Sequence, residues 1–202
     1  MAIVLNPYVF STTPTVAGTW NPGDKSSQIT LTNGNLTESN SSGVMAHVRA
    51  TIGRSSSKRY FEYTVVAVTA RVGLATSSFS LSTTSGADTT SCCYLTGNAT
   101  TRHNGVNAPY PTAWGPPNDP GNIISVAADL DVLKVWFRVN GGQWFGRDIS
   151  IEDPATGLGG LTLLASGTWF PLGGGLNHEG TINLGASAFA YTVPVGFSAW
   201  DD

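Results

Sequence analysis

The sequence predicts an all-β domain: a two-sheet antiparallel β-sandwich with an extended N-terminal arm. Three observations predict it. Short apolar runs alternate with a period of two and are separated by Gly, Pro, Asn and Ser. No long stretch places apolar residues at the i, i+3, i+4, i+7 spacing of a helix face. Uncharged polar residues stand in for charge: only 11% of the chain is charged while 41% is hydrophobic. That is the reverse of a disordered composition. With 202 residues the chain forms one domain, large enough to bury a sizeable core.

The elements follow in order. Residues 1–25, rich in Thr and Pro, read as an arm with a strand around Ile3 to Phe10 and a turn at Asn21-Pro22-Gly23; residues 26–202 form the sandwich. Gln28 to Thr32 is a short strand, and Asn33-Gly34 a strong turn signal. Val44 to Ile52 alternates Val44, Ala46, Val48, Ala50 and Ile52 against Met45, His47, Arg49 and Thr51, the pattern of a half-buried strand. Arg59 to Val68 places Phe61, Tyr63, Val65 and Ala67 on its core face. Arg71 to Ala75 is its neighbour, residues 76–90 a Ser/Thr-rich loop, and Cys92 to Leu95 a small strand. Residues 97–121 read as a second long loop. The strongest strands are Asn122 to Leu130 and Leu133 to Val139, which add Val126, Ala128, Val135, Phe137 and Val139 to the core, with a turn at Asn140-Gly141. A third loop spans 146–160. Leu161 to Ala165, Thr168 to Leu172 and Thr181 to Leu184 complete about eleven strands, a number and spacing that suit a sandwich.

Several classes of function are disfavoured. The net charge is −3, and the densest basic stretch, Arg54 to Arg59, is diluted by serines, so nucleic acid is not an expected partner. No apolar run approaches a membrane span, and the N-terminus lacks the basic region of a signal peptide. Adjacent Cys92 and Cys93 read as two small hydrophobes, one on each face of a strand. His47, His103 and His178 have no second ligand at metal spacing. Asp129 and Asp131, at the end of one strand, read as turn formers rather than as a glycosidase pair or a calcium site. Gly173-Gly174-Gly175 lacks the Lys-Ser/Thr of a phosphate loop. No nucleophile, base and orienting group can be named together, so no enzyme, cofactor or catalytic metal is expected. The features suited to binding are loop aromatics, Tyr94, Tyr110, Trp114 and Trp144, together with the neighbouring polar group Arg102, His103 and Asn104.

Residues 44–200 also carry a set of motifs in a familiar order. Lys58-Arg59-Tyr60-Phe61-Glu62-Tyr63-Thr64-Val65 is followed by Arg71-Val72-Gly73-Leu74-Ala75. Gly121 to Asp131, GNIISVAADLD, precedes Phe137-Arg138-Val139-Asn140-Gly141 and Trp169-Phe170-Pro171. Asn183-Leu184-Gly185, Phe189-Ala190-Tyr191 and Pro194-Val195-Gly196-Phe197 close the series. In order and spacing this resembles the SPRY domain. The resemblance implies a SPRY-like, concanavalin-like jelly-roll sandwich that works as a binding module. Three positions depart from the pattern: Asn122 replaces an Asp, Ser55-Ser56-Ser57 replace a glycine, and Val132-Leu133 replace a polar turn. Two apolar residues at an exposed turn suggest that it packs against a partner.

The second half, from Lys134-Val135-Trp136-Phe137 through Asp153-Pro154-Ala155-Thr156-Gly157, resembles the SPRY domains of phage-encoded proteins. The expectation is a bacteriophage virion protein assembled in the host cytoplasm: a capsid decoration, head-fibre or tail-associated subunit. It would bind other virion proteins or host surface glycans and could form a homo-oligomer. The alternatives are a SPRY-type adaptor for a short peptide and, further off, an enzyme acting on cell-wall glycan. The arm is expected to fold back on its own sheet or to anchor the domain to a neighbour.

Overall fold

A computed structural model describes residues 17–67, 69–109, 120–146 and 151–202. The strand expected at Ile3 to Phe10 lies outside the described residues.

Fifteen strands are found among the described residues: β1 Trp20–Lys25, β2 Thr30–Thr32, β3 Thr37–Asn40, β4 Ala46–Ala50, β5 Lys58–Ala67, β6 Ala70–Thr76, β7 Ser91–Leu95, β8 Thr100–His103, β9 Val106–Pro109, β10 Ile123–Asp129, β11 Lys134–Val139, β12 Leu161–Thr162, β13 Trp169–Gly175, β14 His178–Asn183 and β15 Ser198–Ala199. They form two sheets. The first runs β1-β4-β13-β6-β7-β8-β9. The second runs β12-β11-β10-β5-β14-β3-β2, with β15 alongside β5. Every ladder is antiparallel except β15 on β5. This is the two-sheet antiparallel sandwich that the sequence predicts. Among the described residues no helix is long and apolar enough to cross a membrane.

The core lies between the sheets, and period-two alternation builds it. Phe61, Tyr63 and Val65 of β5 point inward with Val126 and Ala128 of β10 and Val135, Phe137 and Val139 of β11, all of them buried. Trp20, Trp169 and Trp200 close the core as fully buried side chains. Cys92 joins the inter-sheet core while Cys93 lies on the opposite face of β7; both are free and buried.

The outer faces differ most from expectation. β4 was expected to be half-buried, yet all five of its residues are buried. The Ser/Thr-rich segment after β6 packs onto it. Arg49 donates to the carbonyls of Thr76 and Phe79 and pairs with Asp24, and His47 contacts Leu81 and Ser85. The second sheet is clad by residues 189–192, which the Glu62 carboxylate holds by accepting hydrogen bonds from the Ala190 and Tyr191 amides.

Three local readings also change. Asn21-Pro22-Gly23 is not a free turn but an irregularity within β1, between Trp20 opposite Ala50 and Lys25 opposite Val48. Residues 97–121 are not one loop, because β8 and β9 form a hairpin there, turning at Asn104 and Gly105 with φ of 50° and 73°. The strand expected over Thr168 to Leu172 runs on through the three glycines at 173–175, and the strand expected over Thr181 to Leu184 begins at His178 rather than Thr181. A Cβ on Gly173 would stand 2.8 Å from the Trp20 ring, so only glycine lets that indole pack against the strand.

Candidate functional site

The seven residues expected to bind are not brought together as one site. Tyr94 lies inside β7, fully buried, with its ring stacked on Phe137 at 6.2 Å; it is a core residue and not a loop contact. Its alternation with Cys92 sets that direction. Arg102, His103 and Asn104 occupy the end of β8 and the β8–β9 turn. Of these, His103 is buried: Nδ1 donates to the Ser91 carbonyl at 2.8 Å and Nε2 accepts from the Leu164 amide at 3.2 Å. It ties the hairpin to the segment after β12 and is not presented to solvent. Asn104 is exposed and Arg102 half-buried. Trp144 lies flat over the Arg138 guanidinium at 4.3 Å and edge-on to Tyr60, so its indole covers a buried arginine. Tyr110 and Trp114 lie outside the described residues.

The polar clusters are structural in form. Asp129 accepts from the amides of Asp131 and Val132 and pairs with Lys58 at 3.4 Å, while Asp131 accepts from the Ser57 amide. These are turn bonds of the expected kind. A cluster that the sequence reading missed sits between the sheets. Glu38 accepts from the Tyr63 hydroxyl at 2.8 Å and meets His178 Nε2 at 2.5 Å, all three buried. Burial beside that carboxylate pushes the Tyr63 phenol well above its usual range. Glu38 gave no signal because it stands in a short polar strand, Thr-Glu-Ser-Asn. Sealed from solvent, the trio pairs buried polar groups with one another rather than meeting a substrate.

His47 is likewise enclosed. The Leu81 carbonyl 3.3 Å away accepts from Nδ1, which leaves Nε2 facing the Ser85 hydroxyl at 3.1 Å. Burial holds its pKa down at about 3, so the ring stays neutral. Ser85 Oγ also lies 3.2 Å from Cys93 Sγ, and burial raises that thiol, which removes its nucleophilic form. A serine beside a histidine is therefore a pin for the covering loop.

Besides a hollow of about 330 Å³ beside Asn40, Ala67 and His178, two others open at the surface. One, of about 80 Å³, lies where the free ends of the sheets meet, lined by His103, Asn104, Val106, Ala108, Leu161 and Leu164 among others. Val106 and Leu164 on its rim are 51% and 55% exposed. The other, of about 270 Å³, lies where β6 begins and β7 ends, between Ala70, Arg71, Leu95, Gly97, Asn98 and Leu176.

The architecture defines the class: a two-sheet antiparallel sandwich whose outer faces are clad by long ordered segments. Known structures place it further. No family model and no curated protein sequence matches the chain. Solved structures do match. The SPRY domain of human HERC1 aligns with a TM-score of 0.64 at 14% identity, covering 84% of this chain and 99% of that one. The PSpry domain of TRIM65 aligns with a TM-score of 0.62 at 13% identity, covering 83% and 92%. The fold is SPRY-like.

Proposed function

We propose that the chain is a non-enzymatic binding protein of a bacteriophage particle: an accessory subunit of capsid, head fibre or tail that contacts other virion proteins or host surface glycans. One observation carries the binding part. Val106, Leu164 and Val132 are 51%, 55% and 57% exposed, on backbone fixed by β-pairing and turns. Val106 and Leu164 flank the smaller hollow, whose lining bears no Asp, Glu, Lys or Arg. The Leu163 amide donates to the Leu133 carbonyl, which joins the Val132 turn to the same corner. Large apolar side chains held rigidly in water mark a contact surface. The unusual Val132-Leu133 turn thus finds a physical use. The SPRY-like fold supports the same reading, and the phage-like motifs of the second half support the virion context.

The test is a purified particle carrying the labelled protein, imaged at low resolution, alongside Val132→Asp and Leu164→Asp. The proposal expects label at regular positions on the particle, lost in the variants while their melting temperatures hold. Label absent from particles, or variants incorporated like the parent chain, would overturn it. Release of reducing sugar from cell-wall glycan by the purified chain would overturn the non-enzymatic part. Recognition of a short peptide is the second reading, favoured by Arg71 and Arg102, which face no carboxylate among the described residues.

A further inference from the structure

Cations are scarce in this chain, and most of the described ones are committed. Arg49 pairs with Asp24 and Lys58 with Asp129. Lys25, Lys134 and Arg138 donate to the carbonyls of Ile29, Gly157 and Thr192. Arg54 and Arg59 hold the carbonyl of Asp202 at the C-terminal end. Arg71 and Arg102 differ. Neither has a carboxylate within ion-pair distance among the described residues. Arg71 makes a long contact, 3.5 Å to the Ser85 carbonyl, and reaches the Cys93 thiol, and the buried Nε of Arg102 has no partner among the described residues.

The fold brings these two to one face. In β6, Val72 and Leu74 point into the core, so Arg71 points out. In β7, Cys92 and Tyr94 point in, so Cys93 and Leu95 point out. Arg102 stands directly opposite Cys93, and Arg71 directly opposite Leu95. With one strand between them and a two-residue offset in register, the two arginines' Cα atoms are spaced roughly 12 Å apart across the sheet. Both charges act on the Cys93 thiol, which lies between them. Next to Arg71 the surface falls into the hollow of about 270 Å³, floored by Ala70, Leu95 and Leu176. Its volume is near the lower end for ligand pockets and suits one large side chain.

We propose that this corner docks an acidic peptide segment of a partner protein, with one large apolar side chain seated in the Leu95–Leu176 hollow, one carboxylate beside it on Arg71 and a second further along the sheet on Arg102. The occupant follows from charge complementarity. A guanidinium fork holds a carboxylate bidentately, and two forks on one rigid sheet set the spacing of two acidic residues. A basic or uncharged segment would leave both arginines unmatched. This inference rests on the binding-module reading and adds the chemistry of one partner to it.

The experiment is display selection of random dodecapeptides on the full chain. Titration of the recovered peptides follows, against the parent, Arg71→Gln, Arg102→Gln and Leu176→Asp, with methyl NMR of the parent complex. The expected result is a consensus of Asp or Glu around a large apolar residue, with shifts at the Leu95 and Leu176 methyls. Each Arg→Gln variant should bind about tenfold more weakly, and added salt should weaken the parent complex. Both arginines are half-exposed, and near-ultraviolet circular dichroism confirms that the variants fold; Arg102→Lys keeps the charge and loses the fork, so it should bind more weakly than the parent and more tightly than Arg102→Gln. A consensus without acidic residues, or binding unchanged by the arginine variants, would overturn this inference and leave the binding-module reading standing. Failure to select any peptide would overturn this inference and count against peptide binding as a whole.

Discussion

Acidification should loosen the protein through His47. The ring is fully buried against the loop that clads the first sheet, and burial lowers its pKa from 6.5 to about 3. The unfolded chain takes up a proton on this ring near pH 6.5; the folded chain resists until about 3. Stability from the neutral ring is therefore complete above 6.5 and drains as pH falls towards 3. Each pH unit in that window costs up to about 1.4 kcal/mol, so between pH 6.5 and 5 the loss approaches about 2 kcal/mol. For a domain of this size that lowers Tm by roughly 4–8 °C. Carboxylates titrate too, so the diagnostic is a difference. His47→Gln retains an amide that reaches Leu81 and Ser85 but cannot titrate. Urea unfolding of both proteins at pH 7, 6 and 5 should show the parent losing about 2 kcal/mol more than the variant. Parallel pH profiles would refute the assignment.

Other substitutions test the core. Phe137→Ala removes a ring stacked on Tyr94 and should cost about 3–5 kcal/mol, read from the urea midpoint. Tyr63→Phe strips Glu38 of one of its two side-chain donors and should cost about 1–3 kcal/mol in the same assay, although no apolar contact is lost. Gly180→Ala places a Cβ 2.0 Å from the Tyr63 hydroxyl, which Glu38 holds in place, so thermal unfolding should show a loss of about 1–3 kcal/mol or more.

The inward faces of β5, β10 and β11 were legible because aromatic and β-branched residues alternate there without interruption. The β8–β9 hairpin was obscured because Thr100-Thr101-Arg102-His103 carries no apolar face, although its Asn104-Gly105 pair is a strong turn signal. Alternation with Cys92 already pointed Tyr94 inward; its aromatic character had suggested binding instead. β13 was cut short at Gly173 because glycine is a poor strand former, and its presence there is dictated by Trp20, which is remote in sequence. The buried outer face of β4 depends on a Ser/Thr-rich loop that folds over it through His47 and Arg49, and such coverage leaves no periodic trace. The same holds for the Arg71–Arg102 pair. Their proximity comes from strand register across β7, which local sequence does not encode.

The cladding of the second sheet depends on Glu62. Its carboxylate accepts from the Tyr60 hydroxyl at 2.6 Å, the Ala190 amide at 2.8 Å and the Tyr191 amide at 3.0 Å. Arg138 adds a bond to the Thr192 carbonyl, and Phe189 packs edge-on to Tyr60 at 4.8 Å. Bonds to a buried carboxylate are worth about 1.5–3 kcal/mol each, and losing the acceptor leaves two amides and a hydroxyl unmatched. Glu62→Ala should therefore free residues 189–192 before the sandwich itself unfolds, because the core beneath is packed by other residues. Hydrogen exchange at Ala190 and Tyr191 should accelerate by at least about a hundredfold, the equivalent of about 2.7 kcal/mol. Exchange in β10 should rise less. Glu62→Gln keeps one accepting oxygen and should fall between. If Ala190 and Tyr191 stay protected in Glu62→Ala, the segment is held by its aromatic contacts and the carboxylate is dispensable. If β10 loses protection to the same extent, cladding and sandwich unfold as one cooperative unit and the segment has no separate stability.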